Sequence, residues 1–278
     1  MRALAVLATT LLALTGTHAA RAAEPTLVIT QDGKRQDFTA SALLARPDAA
    51  TVNVPNDVSY GKAMSYRAVP LLSLLGKLDD ARFDTLEARA TDGFTAQIPL
   101  SLVARGAAGG SVAWVAVEDP AKPWPPLSHA PSAGPFYLVW ANPERSGVRG
   151  EQWPYAMASL TFTESPVHRW PQLALPDGLP ADAAPRTGQT VFLTLCFPCH
   201  RLNGAGAGEM GPDLGQPMNA VRYLTDAGLR AIVRDPRAVR TWPEQRMEGF
   251  DQKTLSDADL DALIAYLHAV ADKTASAK

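Results

Sequence analysis

The chain has 278 residues, 46% of them hydrophobic and 19% charged, with a formal net charge of −2. That excludes a disordered chain, which could not bury enough apolar surface, and a nucleic-acid binder, which would carry a strongly basic domain. The length suits one or two cores, and 23 prolines with 20 glycines break the chain into many turns.

The first 22 residues read as an export leader. Met1-Arg2 precedes an apolar run over 3–14, and Ala20-Arg21-Ala22 supplies an A-x-A cleavage site. The run is shorter than the about 20 residues a membrane span needs, and no other stretch is long and apolar enough. The mature protein is therefore expected to be periplasmic, without a membrane span. Loss of Arg2 and Arg21 makes it more acidic.

Strand-like runs follow at 26–30, 86–91, 94–98, 112–117, 136–140 and 156–162, with a turn at Asp32-Gly33 and another at Asp92-Gly93. Thr39 is placed to cap a short helix ending at Leu44, and Pro70 opens a second predicted helix over 71–78 with one leucine stripe. Residues 119–135 form a loop with six prolines. This pattern predicts an α+β, mixed to mostly-β domain over 24–165. Residues 166–186, rich in Pro, Ala and Asp, read as a linker. Beyond them the periodicity is helical, over 187–195, over 226–234 behind a Thr225 cap, and from a Ser256/Asp259 capping-box pattern onward. The all-α domain is placed at 187–275.

Both cysteines of the chain lie in Cys196-Phe197-Pro198-Cys199-His200. Cys-x-x-Cys-His is the attachment string of c-type haem: two thiols one helical turn apart add to the two vinyl groups, and the next imidazole faces the iron. A structural zinc site needs four Cys/His ligands, and no second cysteine pair exists. A thioredoxin-type dithiol belongs in a βαβ setting, which this helical stretch is not.

On these residues 187–275 resembles a class I, mitochondrial-type cytochrome c domain. Gly188 and Phe192 precede the string as in that family, Gly211-Pro212-Asp213-Leu214 follows it, and Leu263 with Tyr266-Leu267 matches the last helix. The resemblance implies one covalent haem on Cys196 and Cys199, with His200 as proximal ligand oriented by the Pro212 carbonyl. It implies a distal methionine between the middle and last helices. Met247, in Arg246-Met247-Glu248-Gly249-Phe250, matches in position with Glu248 where the family has proline. Met218 is the second candidate, Met210 lies too near His200 to wrap to the other face, and His268 belongs to the last helix. Arginines 222, 230, 234, 237, 240 and 246 read as a solvated face or, with Trp242, as contacts for haem propionates or a docking partner.

The N-terminal domain resembles the molybdopterin-binding fold of the sulfite oxidase family. The carriers are Tyr66-Arg67-Ala68-Val69-Pro70-Leu71-Leu72, Ala90-Thr91-Asp92-Gly93-Phe94, and Gly134-Pro135-Phe136-Tyr137-Leu138-Val139-Trp140. That family's molybdenum ligand is a cysteine, absent here, which argues against molybdopterin. His129 and Met64, both read as loop residues, make an incomplete metal set. Glu151 reads as a loop carboxylate that accepts backbone N–H groups. The expected function is an exported cytochrome that carries single electrons, with the N-terminal domain as a binding or docking module for a redox partner protein. The alternatives are an enzyme that oxidises or reduces a substrate in its N-terminal domain and passes electrons to haem, and a haem sensor or peroxidase with a labile distal site.

Overall fold

The computed structural model describes residues 23–78 and 82–276; the leader read at 1–22 lies outside them. Among the described residues, nine strands build two sheets in the N-terminal part. β1 (Thr26–Gln31) and β2 (Lys34–Thr39) pair across Asp32-Gly33, whose φ angles of 50° and 71° suit Asp and Gly in a tight hairpin. β9 (Met157–Thr163) returns parallel to β1 and antiparallel to β5 (Thr85–Ala90), and β6 (Thr95–Pro99) closes the order β2-β1-β9-β5-β6. The second sheet is antiparallel throughout: β3 (Ala50–Val54), β4 (Met64–Pro70), β7 (Val112–Val117), β8 (Phe136–Ala141).

β8 is buried without a break from Phe136 to Trp140, as expected of a strand covered on both faces. Three short helices complete this core: α1 (Ala40–Leu44), α2 (Leu71–Leu75) and α3 (Leu100–Ala104). Thr39 caps α1, its hydroxyl accepting the Ala42 N–H at 3.2 Å. α2 is shorter than its leucine stripe predicts. It stops where Gly76 turns to φ 69°, and Leu78 packs on the core from outside the helix. Met64 is no loop residue: it opens β4 opposite Val54.

One buried carboxylate organises the second sheet. Asp57, 1% exposed, accepts from Tyr66 Oη at 2.8 Å, Tyr137 Oη at 3.2 Å and the backbone N–H groups of Ser59 and Tyr60. Burial pushes both phenols above their ordinary range, and Asp57 adds to it, so both tyrosines stay donors.

The C-terminal part is helical: α4 (Pro166–Arg169), α5 (Ala184–Val191), α6 (Ala220–Tyr223), α7 (Asp226–Arg234), α8 (Pro236–Val239) and α9 (Asp257–Ser276). α5 and α9 cross in direct contact at Gly188, where a Cβ would lie 1.9 Å from the Ala262 carbonyl oxygen and 2.8 Å from Tyr266 Cβ. Only glycine allows that approach. Phe192 and Tyr266, both 0% exposed, stack at 5.4 Å beside it. At the start of α9, Ser256 Oγ accepts the Asp259 N–H, but the Asp259 carboxylate turns away to Arg149. Half of the expected capping box forms.

The segment read as linker is ordered against both parts. Arg169 binds Glu87 at 2.8 Å and Gln97 at 2.7 Å, Trp170 meets Phe197 edge-on at 5.6 Å, and the Leu173 carbonyl accepts from Gln189 and Tyr266. Further bonds join the two parts directly. The Thr95 N–H donates to the Pro198 carbonyl at 2.9 Å, Arg89 pairs with Glu209, and Arg149 reaches the Thr254 carbonyl at 2.9 Å and Asp259 at 3.2 Å. No helix among the described residues is long and apolar enough to cross a membrane.

Candidate haem site

α5 does not stop at Val191 but widens into a π turn, Phe192–Cys196, closed by the Phe197 N–H on the Phe192 carbonyl at 2.9 Å. Such widened turns concentrate at functional sites. The chain then tightens, with the N–H groups of Cys199 and His200 both on the Cys196 carbonyl. Both cysteines are free and half-buried. Burial pushes both thiols up, with the Glu151 carboxylate as the next cause, and Cys199 rises to about 12.

His200 Nδ1 lies 2.8 Å from the Pro212 carbonyl oxygen. A carbonyl only accepts, so the proton sits on Nδ1 and the Nε2 lone pair is left as donor to a metal. Burial lowers the imidazole's affinity for a second proton, which keeps it neutral, as a ligand must be. Gly211 holds this geometry: its N–H donates to the Cys199 carbonyl, and a Cβ there would fall 2.4 Å from His200 Cε1. Asp213 secures the loop below, accepting from the N–H groups of Asn203, Gly204, Gly215 and Gln216.

The methionines separate by environment. Met210 packs with Sδ 3.9 Å from Cys199 Sγ, on the attachment string itself. Met218 is 54% exposed. Met247 is half-buried in the loop between α8 and α9. That loop is strapped down: Arg234 donates to the carbonyls of Phe250 and Leu255 and pairs with Asp257, and the Phe250 N–H returns to Val233. Burial raises the Tyr155 phenol, and Arg246 and Glu248 of this loop and Cys199 act on it electrostatically. His268 is taken up by Asp226 at 2.8 Å.

The six arginines do not act as one face. Arg230 and Arg234 pair with Asp261 and Asp257. Arg237 and Arg240 are exposed, Arg240 lies over the Trp242 ring at 5.5 Å, and Arg237, Thr241, Trp242, Pro243 and Gln245 line a surface cavity of about 490 Å³.

A haem fits these residues. Beyond the string and the neutral imidazole, the same domain holds buried polar atoms with no partner: Asn203 Nδ2, Asn219 Nδ2 and both amide atoms of Gln245. The N-terminal part leaves Trp114 Nε1, Glu151 Oε2 and Thr163 Oγ1 unpaired as well, so it is the donor set of two thiols and one neutral imidazole that fits the group.

Some of the surroundings come from the N-terminal domain, which sequence reasoning assigned no place here. Glu151 stands on a 3-10 turn, Gly150–Gln152, packed against the π turn ahead of Cys196. Its carboxylate accepts its own backbone N–H, while Oε2 is buried with no hydrogen-bond partner. Asp92 bears on Cys199 as well. His129 is exposed, and among the described residues no three His, Cys, Asp or Glu side chains converge on a metal position.

Residues 185–271 match the sequence profile of the family described as Cytochrome c. The chain thus has a C-terminal cytochrome c domain, which implies a covalently bound haem c and a haem-based electron carrier. The match does not extend into the N-terminal sheets, and no curated protein matches the chain.

Proposed function

We propose that the protein is an exported monohaem cytochrome c that passes single electrons between protein partners. Cys196 and Cys199 carry the haem by thioether bonds, His200 is the proximal ligand and Met247 the distal one. The observation that carries this reading is the His200 Nδ1 to Pro212 carbonyl bond at 2.8 Å, immediately after the two thiols, which leaves Nε2 as the donor. When bound, the haem would supply a one-electron ferric/ferrous couple, and His200 and Met247 would hold its iron. The protein holds the imidazole neutral, fixes its plane through Pro212 and Gly211, and keeps the Met247 loop closed through Arg234. Exposed Arg237 and Arg240 beside Trp242 suit a partner with an acidic surface.

The N-terminal domain, in this reading, is a sulfite oxidase-like fold without its molybdenum ligand, retained as the module that selects the partner. Its support is that the three resembling strings fall on β4 and α2, on the β5–β6 hairpin and on β8, with no cysteine among them. Leader cleavage after Ala22 delivers the chain to the periplasm.

The test is the weak far-red absorption band of the ferric holoprotein, which reports Met–iron ligation. Met247→Ala is expected to abolish it and Met218→Ala to leave it. Loss of the band in Met218→Ala alone would exchange the two assignments. A stoichiometric second metal or a pterin in the purified wild type would replace the carrier with an enzyme.

A further inference from the structure

The N-terminal domain reaches the haem-attachment string with more than backbone contacts. Glu151, Asp92 and Tyr155 all belong to it, and each has an electrostatic interaction with Cys199. Glu151 acts on Cys196 too. The turn that carries Glu151 is held on both sides. The Trp140 indole N–H donates to the Gln152 carbonyl at 2.8 Å, and Arg149 bonds across to Thr254 and Asp259 of the other domain. The β6 edge adds the Thr95 N–H to Pro198 carbonyl bond, and Gly93 sits where a Cβ would lie 3.1 Å from Glu209 Cβ. This side of the string is therefore enclosed by protein.

Within that enclosure Glu151 is anomalous. Its Oε2 is buried and unpaired, at a cost the fold does not offset locally. The nearest cation, Arg149, is already engaged by the Thr254 carbonyl and Asp259. With Oε2 unpaired and Arg149 so engaged, the neighbour left to benefit from this carboxylate's negative charge is the group carried on Cys196 and Cys199.

We propose that the N-terminal domain forms one wall of the haem crevice, and that Glu151 is a positioning residue whose carboxylate holds the haem reduction potential down by favouring the ferric form. The inference rests on the covalent-haem reading above and adds a role for the second domain. The ferric centre carries one more positive charge than the ferrous, so a nearby carboxylate poorly screened by water stabilises it preferentially. Partners then exchange electrons through a face other than the one that bears Asp92, Glu151 and Tyr155.

The test is the midpoint potential of full-length holoprotein at pH 8.5, where Glu151, raised by burial to about 7, is ionised. Glu151→Gln is expected to raise the potential by roughly tenfold in the ferrous-to-ferric ratio, about 59 mV for one electron. Asp92→Asn, on an exposed turn, is expected to shift it in the same direction by less. Glu144→Gln, exposed on the same domain, is the control and leaves it unchanged. The far-red ferric band is expected to persist in all three, which separates a charge effect from lost ligation. Folding stability of Glu151→Gln is expected to equal or exceed wild type, as no structural role would predict. An unchanged potential in Glu151→Gln, or an equal shift in Glu144→Gln, overturns the proposal. Should Glu151→Gln fail to fold, Asp92→Asn decides alone. Absence of covalent haem from the wild type would instead overturn the reading beneath it.

Discussion

Each domain is organised by one carboxylate, Asp57 in the sheets and Asp213 in the loop below His200, but the two serve different ends. In the N-terminal sheets Asp57 is surrounded by two phenols and two backbone N–H groups. Trp114 Nε1 and Thr163 Oγ1 are the sheets' unpaired strand atoms. In the cytochrome domain Asn203, Asn219 and Gln245 hold buried amide atoms with no partner, around short helices and long loops. The sheet core is organised by its own side chains, whereas the helical part is arranged about the attachment string and the loops that follow it. The expected consequence is a sheet scaffold that keeps its fold without haem beside a helical domain that does not.

The largest effect expected from this contrast is removal of the haem. In a Cys196→Ser/Cys199→Ser chain, amide exchange in α9 is expected to accelerate by about a hundredfold or more while β7 and β8 keep their protection. Equal loss of protection in both regions would erase the distinction. Next is Asp57→Ala, which leaves the Tyr66 and Tyr137 hydroxyls buried without an acceptor. A loss of about 4 kcal/mol is expected in denaturant unfolding of the sheet domain, with the haem spectrum unchanged. Gly188→Ala is its counterpart in the other domain. The methyl group would collide with the Ala262 carbonyl, and about 3 kcal/mol is expected to be lost from the helical domain alone. Smallest is Arg149→Ala, expected to cost about 1 kcal/mol and to separate the two unfolding transitions by weakening their junction.

Much of the site was legible in the sequence because its chemistry is local. Cys196, Cys199, His200 and the downstream Pro212 lie within one turn and the loop after it, and the His200 ring sits on the Pro212 carbonyl; the small Gly188 serves the α5–α9 crossing. In the fold, β7 is found at the residues its apolar run indicates, and Thr39 and Thr225 cap α1 and α7. β2 escaped because Lys34, Arg35, Gln36 and Asp37 are exposed on an edge strand, with no alternating apolar face to see. β4 was hidden behind its terminal proline, which reads as a helix start. Glu151 could not be read because its position depends on a docking between residues more than forty apart, which neither periodicity nor spacing encodes. A carboxylate in a Gly-Glu-Gln-Trp-Pro loop looks solvated until the π turn is placed against it.

The pH dependence gives a further way to sharpen the contrast. Burial raises Glu151 to about 7, so the folded protein binds its proton more tightly than the unfolded chain does. Its contribution to stability is full below the ordinary carboxyl range and is lost as pH rises through about 7, on the order of 3 kcal/mol in all. Glu151→Gln is expected to flatten the stability profile between pH 5 and 8, as measured by urea unfolding across that range.

The electron-carrier role requires a haem bound covalently to the C-terminal domain. The intact mass of the purified protein under denaturing conditions measures this directly. The expected mass is that of the mature polypeptide plus one haem, falling to polypeptide alone in Cys196→Ala/Cys199→Ala. A wild-type mass equal to the polypeptide, with both thiols free to alkylate, would contradict it.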